Sequence, residues 1–194
     1  MADRPAGVLL LAAGRSRRFG QDKRQVTLAS GSTLLDTTLA NIEASGLPMI
    51  VCLDPTDSAL ADSLMERGRE VLMCHNASRG MGSTLAEGVS HLPGWDSVLV
   101  ALADMAWIAP ATFNLVAGNT DANAICTPYY KSQRGHPVGF GRNFYSRLTQ
   151  LDGEQGAQAL LRQSANSIKH LVVSDPGILL DADTPADLAL ADNP

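Results

Sequence analysis

Cysteine is nearly absent from this chain: three in 194 residues, with no C-x-x-C pair, which leaves neither a disulfide framework nor a zinc site. Cys52, Cys74 and Cys126 each sit in an apolar, strand-like run, so buried free thiols are expected. Aromatic residues make up only 5 % and do not interleave with cations. With a net charge of -5, that argues against a nucleic-acid partner. No apolar run reaches membrane-spanning length; the longest, at 8–13 and 98–103, are strand-sized. Nor does a signal-like apolar stretch open the chain, because Gly14 and a group of arginines interrupt it. A cytoplasmic protein without a membrane partner is the expectation. Charged residues are too few, at 18 %, for disorder, and 45 % hydrophobic content supports a full core. The length fits one domain, residues 1–194.

Against this acidic background the cations concentrate in one place. Residues 9–23 read LLLAAGRSRRFGQDK, an apolar run that breaks at Gly14 into a basic loop. Arg15, Arg17, Arg18, Lys23 and Arg24 fall within ten residues, a third of the 15 Lys and Arg. A glycine-bearing loop of this kind suits a polyanion such as a nucleoside triphosphate, since bare backbone amides join the cations as donors. It is not a P-loop: five residues separate Gly14 from Gly20, and Gln21 follows where a Lys would stand. The dinucleotide fingerprint G-x-G-x-x-G is absent as well.

Strand-sized apolar runs alternate with helix-period segments. Strands are expected at 8–12, 49–53, 70–74, 97–102, 124–127, 137–140 and 170–173, and helices at 33–45, 58–67, 84–91 and 109–117. Pro110 is a good first-turn residue for the last of these. The alternation predicts an α/β fold, a mainly parallel sheet with helices on both faces. Ligands of such sheets gather at the carboxyl ends of the strands, where the basic loop and Asp104 both fall. After residue 127 the alternation weakens. Residues 129–135 read as the polar turn of a hairpin, and helices are expected at 143–151 and 156–164. This divides the domain into a nucleotide half, about 1–120, and an acceptor half, about 121–194.

Four further motifs bear on chemistry, each open to a plainer reading. Asp104 ends the buried run SVLVALA and suits Mg2+, which takes one or two carboxylates plus phosphate oxygens; it also suits a turn or helix cap ahead of Pro110. Asp183 could supply a second carboxylate, yet Thr184 and Asp187 around Pro185 form a capping box at a helix start. Residues 76–84 (NASRGMGST) form a loop able to meet a base edge through backbone groups and Ser83, or a connector with Ser83 or Thr84 as N-cap. His136, in Gly135-His136-Pro137, fits a structural donor, a substrate contact or a catalyst. Residues 152–157 (DGEQGA) read as an interhelical turn.

Taken in order, LAAGRSRRFGQDK, RGMGSTLAEGV, ALADMAWI, GHPVGFGRNFYSRLTQLDGEQGAQALL and LLDADTPADL resemble the MobA-like nucleotidyltransferase superfamily over nearly the whole chain. Within it they look most like the molybdenum cofactor cytidylyltransferases. The resemblance implies a three-layer Rossmann-like fold and Mg2+-dependent transfer of CMP from CTP to the terminal phosphate of molybdopterin. Transient contact with a recipient molybdoenzyme would follow. It implies that Ala12, Ala13, Gly14, Arg15 and Ser16 line the nucleotide. Arg18 and Lys23 would contact phosphates and, with Asp104, carry the catalysis. Gly80, Met81 and Ser83 would face the base, Asp104 and Asp183 would hold the metal, and Gly135, His136 and Pro137 would meet the acceptor. Ala13 resembles the CTP-using branch, because the guanylyl branch usually has glycine there. Departures from the pattern are Ala103 and Ala106 for the usual Gly and Pro around Asp104, Ala182 within D-A-D, and Arg24 and Gln25 for apolar residues after D-K. They leave two other readings open: a nucleotidyltransferase using GTP or a sugar- or alditol-phosphate acceptor, and a non-catalytic chaperone that delivers the cofactor.

Overall fold

The structure is a computed structural model of the chain and describes residues 6–14 and 22–182. The strands are β1 (Ala6–Leu11), β2 (Met49–Leu53), β3 (Glu70–Met73), β4 (Ser97–Leu102), β5 (Ile125–Tyr130), β6 (Gln133–Arg134), β7 (Val138–Gly141) and β8 (Ile168–Val172). The helices are α1 (Leu34–Ala44), α2 (Ser58–Glu66), α3 (Met81–Ser90), α4 (Pro110–Asn119), α5 (Tyr145–Leu148) and α6 (Gln158–Gln163). All eight strands of the described residues join one sheet, ordered β3-β2-β1-β4-β7-β5-β6, with β8 along the other side of β5. The pairs among β1, β2, β3 and β4 are parallel, as is β5 with β8, whereas β7 runs against both β4 and β5.

The layers follow from alternation along the central strands. Val8 and Leu10 of β1 and Leu99 and Ala101 of β4 face α1, α2 and α4, packing on Leu39, Leu64 and Phe113. Leu9, Val98 and Val100 face the opposite way onto α3, α5 and α6, against Leu85, Leu148 and Leu160. The three cysteines are free and buried in these layers, as their apolar runs predict. No described helix is long and apolar enough to cross a membrane.

Four expected elements change shape for local reasons. The helix expected from residue 84 starts at Met81, so Ser83 and Thr84 lie inside it and neither is its N-cap. Gly82 and Gly88 hide this start, being poor helix formers. A Cβ at Gly88 would meet Leu9 at 2.7 Å, and one at Gly82 would meet the Gly153 carbonyl at 2.9 Å. The helix expected at 143–151 shrinks to a 3-10 turn, Arg142–Phe144, followed by α5. That expected at 156–164 waits until Gln158, because Gly156 holds a φ of +48° that a right-handed helix cannot continue. The hairpin turn narrows to Lys131 and Ser132, both in the left-handed region, which lets Tyr129 and Arg134 pair across β5 and β6.

Candidate functional site

β1 and β4 are parallel neighbours in register, Leu11 beside Leu102, so their ends deliver the next residues to one place. The Ala103 amide donates to the Leu11 carbonyl, and the Ala12 amide donates to the Cys52 carbonyl of β2. Asp104 then leaves the sheet in a turn whose backbone is held on three sides. Thr38 donates to the Ala103 carbonyl at 3.1 Å, Asn41 to the Ala106 carbonyl at 2.8 Å, and the Ala182 amide to the Asp104 carbonyl at 3.2 Å. The helix-cap reading of Asp104 does not hold. Asp175 serves the start of α4 instead, accepting from the Ala109 amide and the Thr112 hydroxyl.

Lys23 forms an ion pair with Oδ2 of Asp104, both side chains being under one-fifth exposed. The other oxygen, Oδ1, is buried and has no hydrogen-bond partner among the described residues. A buried carboxylate oxygen without a donor costs about 1–3 kcal/mol or more, which a bound cation removes. Asp104 therefore fits a metal ligand. Among the described residues no three His, Cys, Asp or Glu side chains gather around a cation position. A metal would thus rest on Asp104 and on oxygens of its substrate, as Mg2+ commonly does. Asp183 lies outside the described residues, but Ala182 before it is bonded to the Asp104 backbone.

The structure removes Arg24 from the cations available to a ligand. Its side chain is only 8 % exposed and donates to the Ala12 carbonyl at 2.6 Å, to both oxygens of Asp57 and to both of Asp22. Burial opposes the charge, and the hydrogen bonds that Arg24 donates to Asp57 and Asp22 outweigh it, raising the guanidinium pKa further. Asp22 also caps the 3-10 turn Lys23–Gln25 through the Arg24 amide. Arg24 points into the protein and Lys23 points to Asp104; the buried cation anchors the turn that presents the other. Arg15, Ser16, Arg17 and Arg18 lie outside the described residues. Of the remaining loop, Ala12 and Ala13 are buried and Gly14 is exposed.

On the α3 side, two loops from different halves of the chain are locked together. Ser83 donates to Asp152 Oδ1 at 2.5 Å and accepts from the Gly153 amide; Arg79 donates to Asp152 Oδ2 at 2.5 Å; the Gly82 amide donates to the Gly153 carbonyl at 2.7 Å. Hydrogen bonds from Ser83, the Gly153 amide and Arg79 hold the Asp152 carboxyl below its ordinary value. Gly80, at φ +125°, lies so close to the Gly153 backbone that a Cβ would approach it to 2.6 Å. The Ser83 hydroxyl is thus engaged with Asp152. Met81 is 44 % exposed on the lip of this junction, beside Gly156. An open groove of about 480 Å³ runs along α3 from Asn76 and Arg79 to His91, and Lys23, Asp104 and His136 do not line it.

Gly135, His136 and Pro137 interrupt what would otherwise be one strand from β6 to β7. The Gly135 amide still donates to Pro128 of β5, but the His136 amide turns to the Ile178 carbonyl, in the strap that follows β8. A Cβ at Gly135 would stand 2.2 Å from that carbonyl, so the strap requires glycine here. His136 is partly buried, with Nδ1 at 3.4 Å from the Val100 carbonyl. Desolvation lowers its pKa and keeps the ring neutral; the Val100 carbonyl and the Asp104 charge oppose this, and the Arg134 charge adds to it. Sequence reasoning missed the roles of Asp57, Asp152 and Asp175, whose partners lie at sequence distances that no local motif encodes, and that of Asp22, which pairs with Arg24 two residues on.

Residues 8–168 match the family described as the MobA-like NTP transferase domain. The purine catabolism protein PucB of Bacillus subtilis (strain 168) is 26 % identical over 193 residues, 92 % of each chain. Nicotine blue oxidoreductase of Paenarthrobacter nicotinovorans is 24 % identical over 185 residues, 91 % of each. Among solved structures, Rv0371c of Mycobacterium tuberculosis H37Rv superposes with a TM-score of 0.83 at 27 % identity, covering 98 % of both chains. A manganese complex of that protein superposes at 0.81 with 25 % identity, again over 98 % of both.

Proposed function

On the premise that this chain belongs to the MobA-like NTP transferase family, we propose that it transfers CMP from CTP to the terminal phosphate of molybdopterin, releasing pyrophosphate with Mg2+ as the cation. The observation that supports a transferase most directly is Asp104: part-buried at the joint carboxyl ends of β1 and β4, with a buried Oδ1 that has no partner among the described residues and Lys23 on Oδ2. One relative is named an oxidoreductase, so the reading leans on these residues rather than on likeness alone.

The balance of the reaction is simple. An oxygen of the acceptor phosphate forms a bond to the α-phosphorus of CTP, the bond from that phosphorus to the β-phosphate bridge breaks, and pyrophosphate leaves with the electron pair. The nucleophile is already an anion near neutral pH, so no strong general base is needed and none is assigned. What the site has to supply is relief of repulsion, which for two like charges at 4 Å is about 4 kcal/mol at an effective dielectric of 20. Lys23 supplies one charge at the strand ends, and Arg18 would supply another from the loop. Asp104 would hold Mg2+, which when bound neutralises triphosphate oxygens and favours departure of pyrophosphate. The engaged Gly80–Ser83 segment would present backbone groups to the base, with the Ala13 methyl leaving less room for a purine.

A pyrophosphate-release assay with CTP, GTP, ATP and UTP, each with and without molybdopterin, tests this. Release with CTP that requires molybdopterin and Mg2+ is expected. A preference for GTP of tenfold or more overturns the choice of base, and no release with any nucleotide overturns the transferase reading.

A further inference from the structure

One stretch of this acidic chain contains no acid: residues 122–151 hold no Asp or Glu, yet carry Lys131, Arg134, Arg142 and Arg147. Arg142 pairs with Asp96, Arg147 donates to Ser164, and Lys131 lies over the Tyr130 ring at 5.1 Å. Arg134 differs from them. It is exposed, and among the described residues its guanidinium has neither an ion pair nor a hydrogen bond, whereas the other described arginines each donate to a carboxylate, hydroxyl or amide oxygen.

Topology puts this free cation beside the candidate site. β7 runs against β4, and β5 runs against β7, so β5 points the same way as β4. The hairpin of β5 and β6 therefore rises from the edge of the sheet that carries Asp104. Arg134 sits directly opposite Tyr129, so the two share a face. Tyr129 lies four residues after Ile125, on the face that packs toward α3. The charge of Arg134 reaches His136, which in turn feels Asp104. The base of the arm is rigid, because the Gly135 and His136 amides are bonded to Pro128 and Ile178.

We propose that Arg134 anchors the phosphate monoester of the acceptor, as an anion site separate from the triphosphate loop. This rests on the transferase reading above, in which a phosphate dianion has to approach a triphosphate already rich in negative charge. A guanidinium matches two oxygens of such a group with a planar fork, which a lysine cannot do. Held on a short clamped arm, it would orient the acceptor as well as neutralise it.

The test uses the full chain with Arg134→Gln and Arg134→Lys. Inorganic phosphate is the probe, titrated by phosphorus NMR with and without CTP and Mg2+. In Arg134→Gln, phosphate affinity is expected to fall at least about tenfold while CTP affinity stays within about twofold; Arg134→Lys restores part of the loss. In turnover, Arg134→Gln raises the KM for the acceptor by a similar factor and leaves that for CTP unchanged. Unchanged phosphate and acceptor binding overturns the assignment, and so does an equal loss of CTP affinity, which would move Arg134 to the triphosphate. If the wild-type chain releases no pyrophosphate but Arg134→Gln still abolishes phosphate binding, the transferase reading falls and the anion site stands.

Discussion

Replacing Asp104 by Asn keeps the size of the side chain and removes its charge. Two consequences separate cleanly. For stability, Lys23 loses its carboxylate, but its side chain is 18 % exposed and can turn its ammonium toward water. Loss of such a charge-assisted bond costs about 1.5–3 kcal/mol. For a chain of this length that lowers Tm by roughly 3–12 °C and leaves the fold intact. For catalysis the loss is larger, because the same charge faces a cation or phosphates during the reaction. A charge–charge interaction near 4 Å is worth about 4 kcal/mol at an effective dielectric of 20. Forfeiting ~3–4 kcal/mol of transition-state stabilisation slows turnover by roughly 10²- to 10³-fold. The assay is pyrophosphate release with CTP, Mg2+ and acceptor, run beside a thermal melt and a Mn2+ titration by electron paramagnetic resonance. A folded variant that keeps more than about a tenth of the wild-type kcat, a loss under ~1.4 kcal/mol, refutes the role of Asp104. Unaltered Mn2+ binding would place the metal elsewhere.

Arg24→Met removes the donor shared by Ala12, Asp22 and Asp57. Breaking a fully buried pair costs about 3–5 kcal/mol, and the partial exposure of Asp22 reduces this to roughly 2–4. A melt should show Tm lower by roughly 5–15 °C, with CTP binding weakened because Lys23 is no longer held toward Asp104; a shift under about 2 °C would contradict the anchor. Acid sensitivity follows from Asp22. Burial raises its pKa, but the hydrogen bonds from Arg24 outweigh that and hold it below the ordinary aspartate value. A lowered folded pKa stabilises above the unfolded value and loses that contribution as pH falls through the folded one. The Tm difference between wild type and Asp22→Asn should therefore be full near pH 5 and shrink below about pH 4. An offset that stays constant with pH would show that the pair is not what Asp22 contributes.

Much of the architecture was legible along the chain. β1, β2 and β4 are apolar runs buried on both faces, and α1 and α4 announce themselves by the helical spacing of Leu34, Leu35, Leu39 and Ile42 and by Pro110. Strand order, the three-residue break between β6 and β7, and the late start of α6 were not legible. They depend on Gly135 meeting Ile178 and on the φ of Gly156, neither of which leaves a periodic trace.

The candidate site divides in the same way. That cations cluster after an apolar strand, and that an Asp ends another, is local chemistry which the residue order alone determined. Which cations face outward was decided only by folding. Arg24 and Lys23 are neighbours in one turn, and sequence gives both the same charge. The parallel pairing of β1 and β2 brings Asp57 under the turn to bury the first, and the pairing of β1 with β4 brings Asp104 up to meet the second. The same holds for Ser83 and Asp152. A buried charge is settled by partners tens of residues away, and those distances are set by sheet register rather than by spacing along the chain.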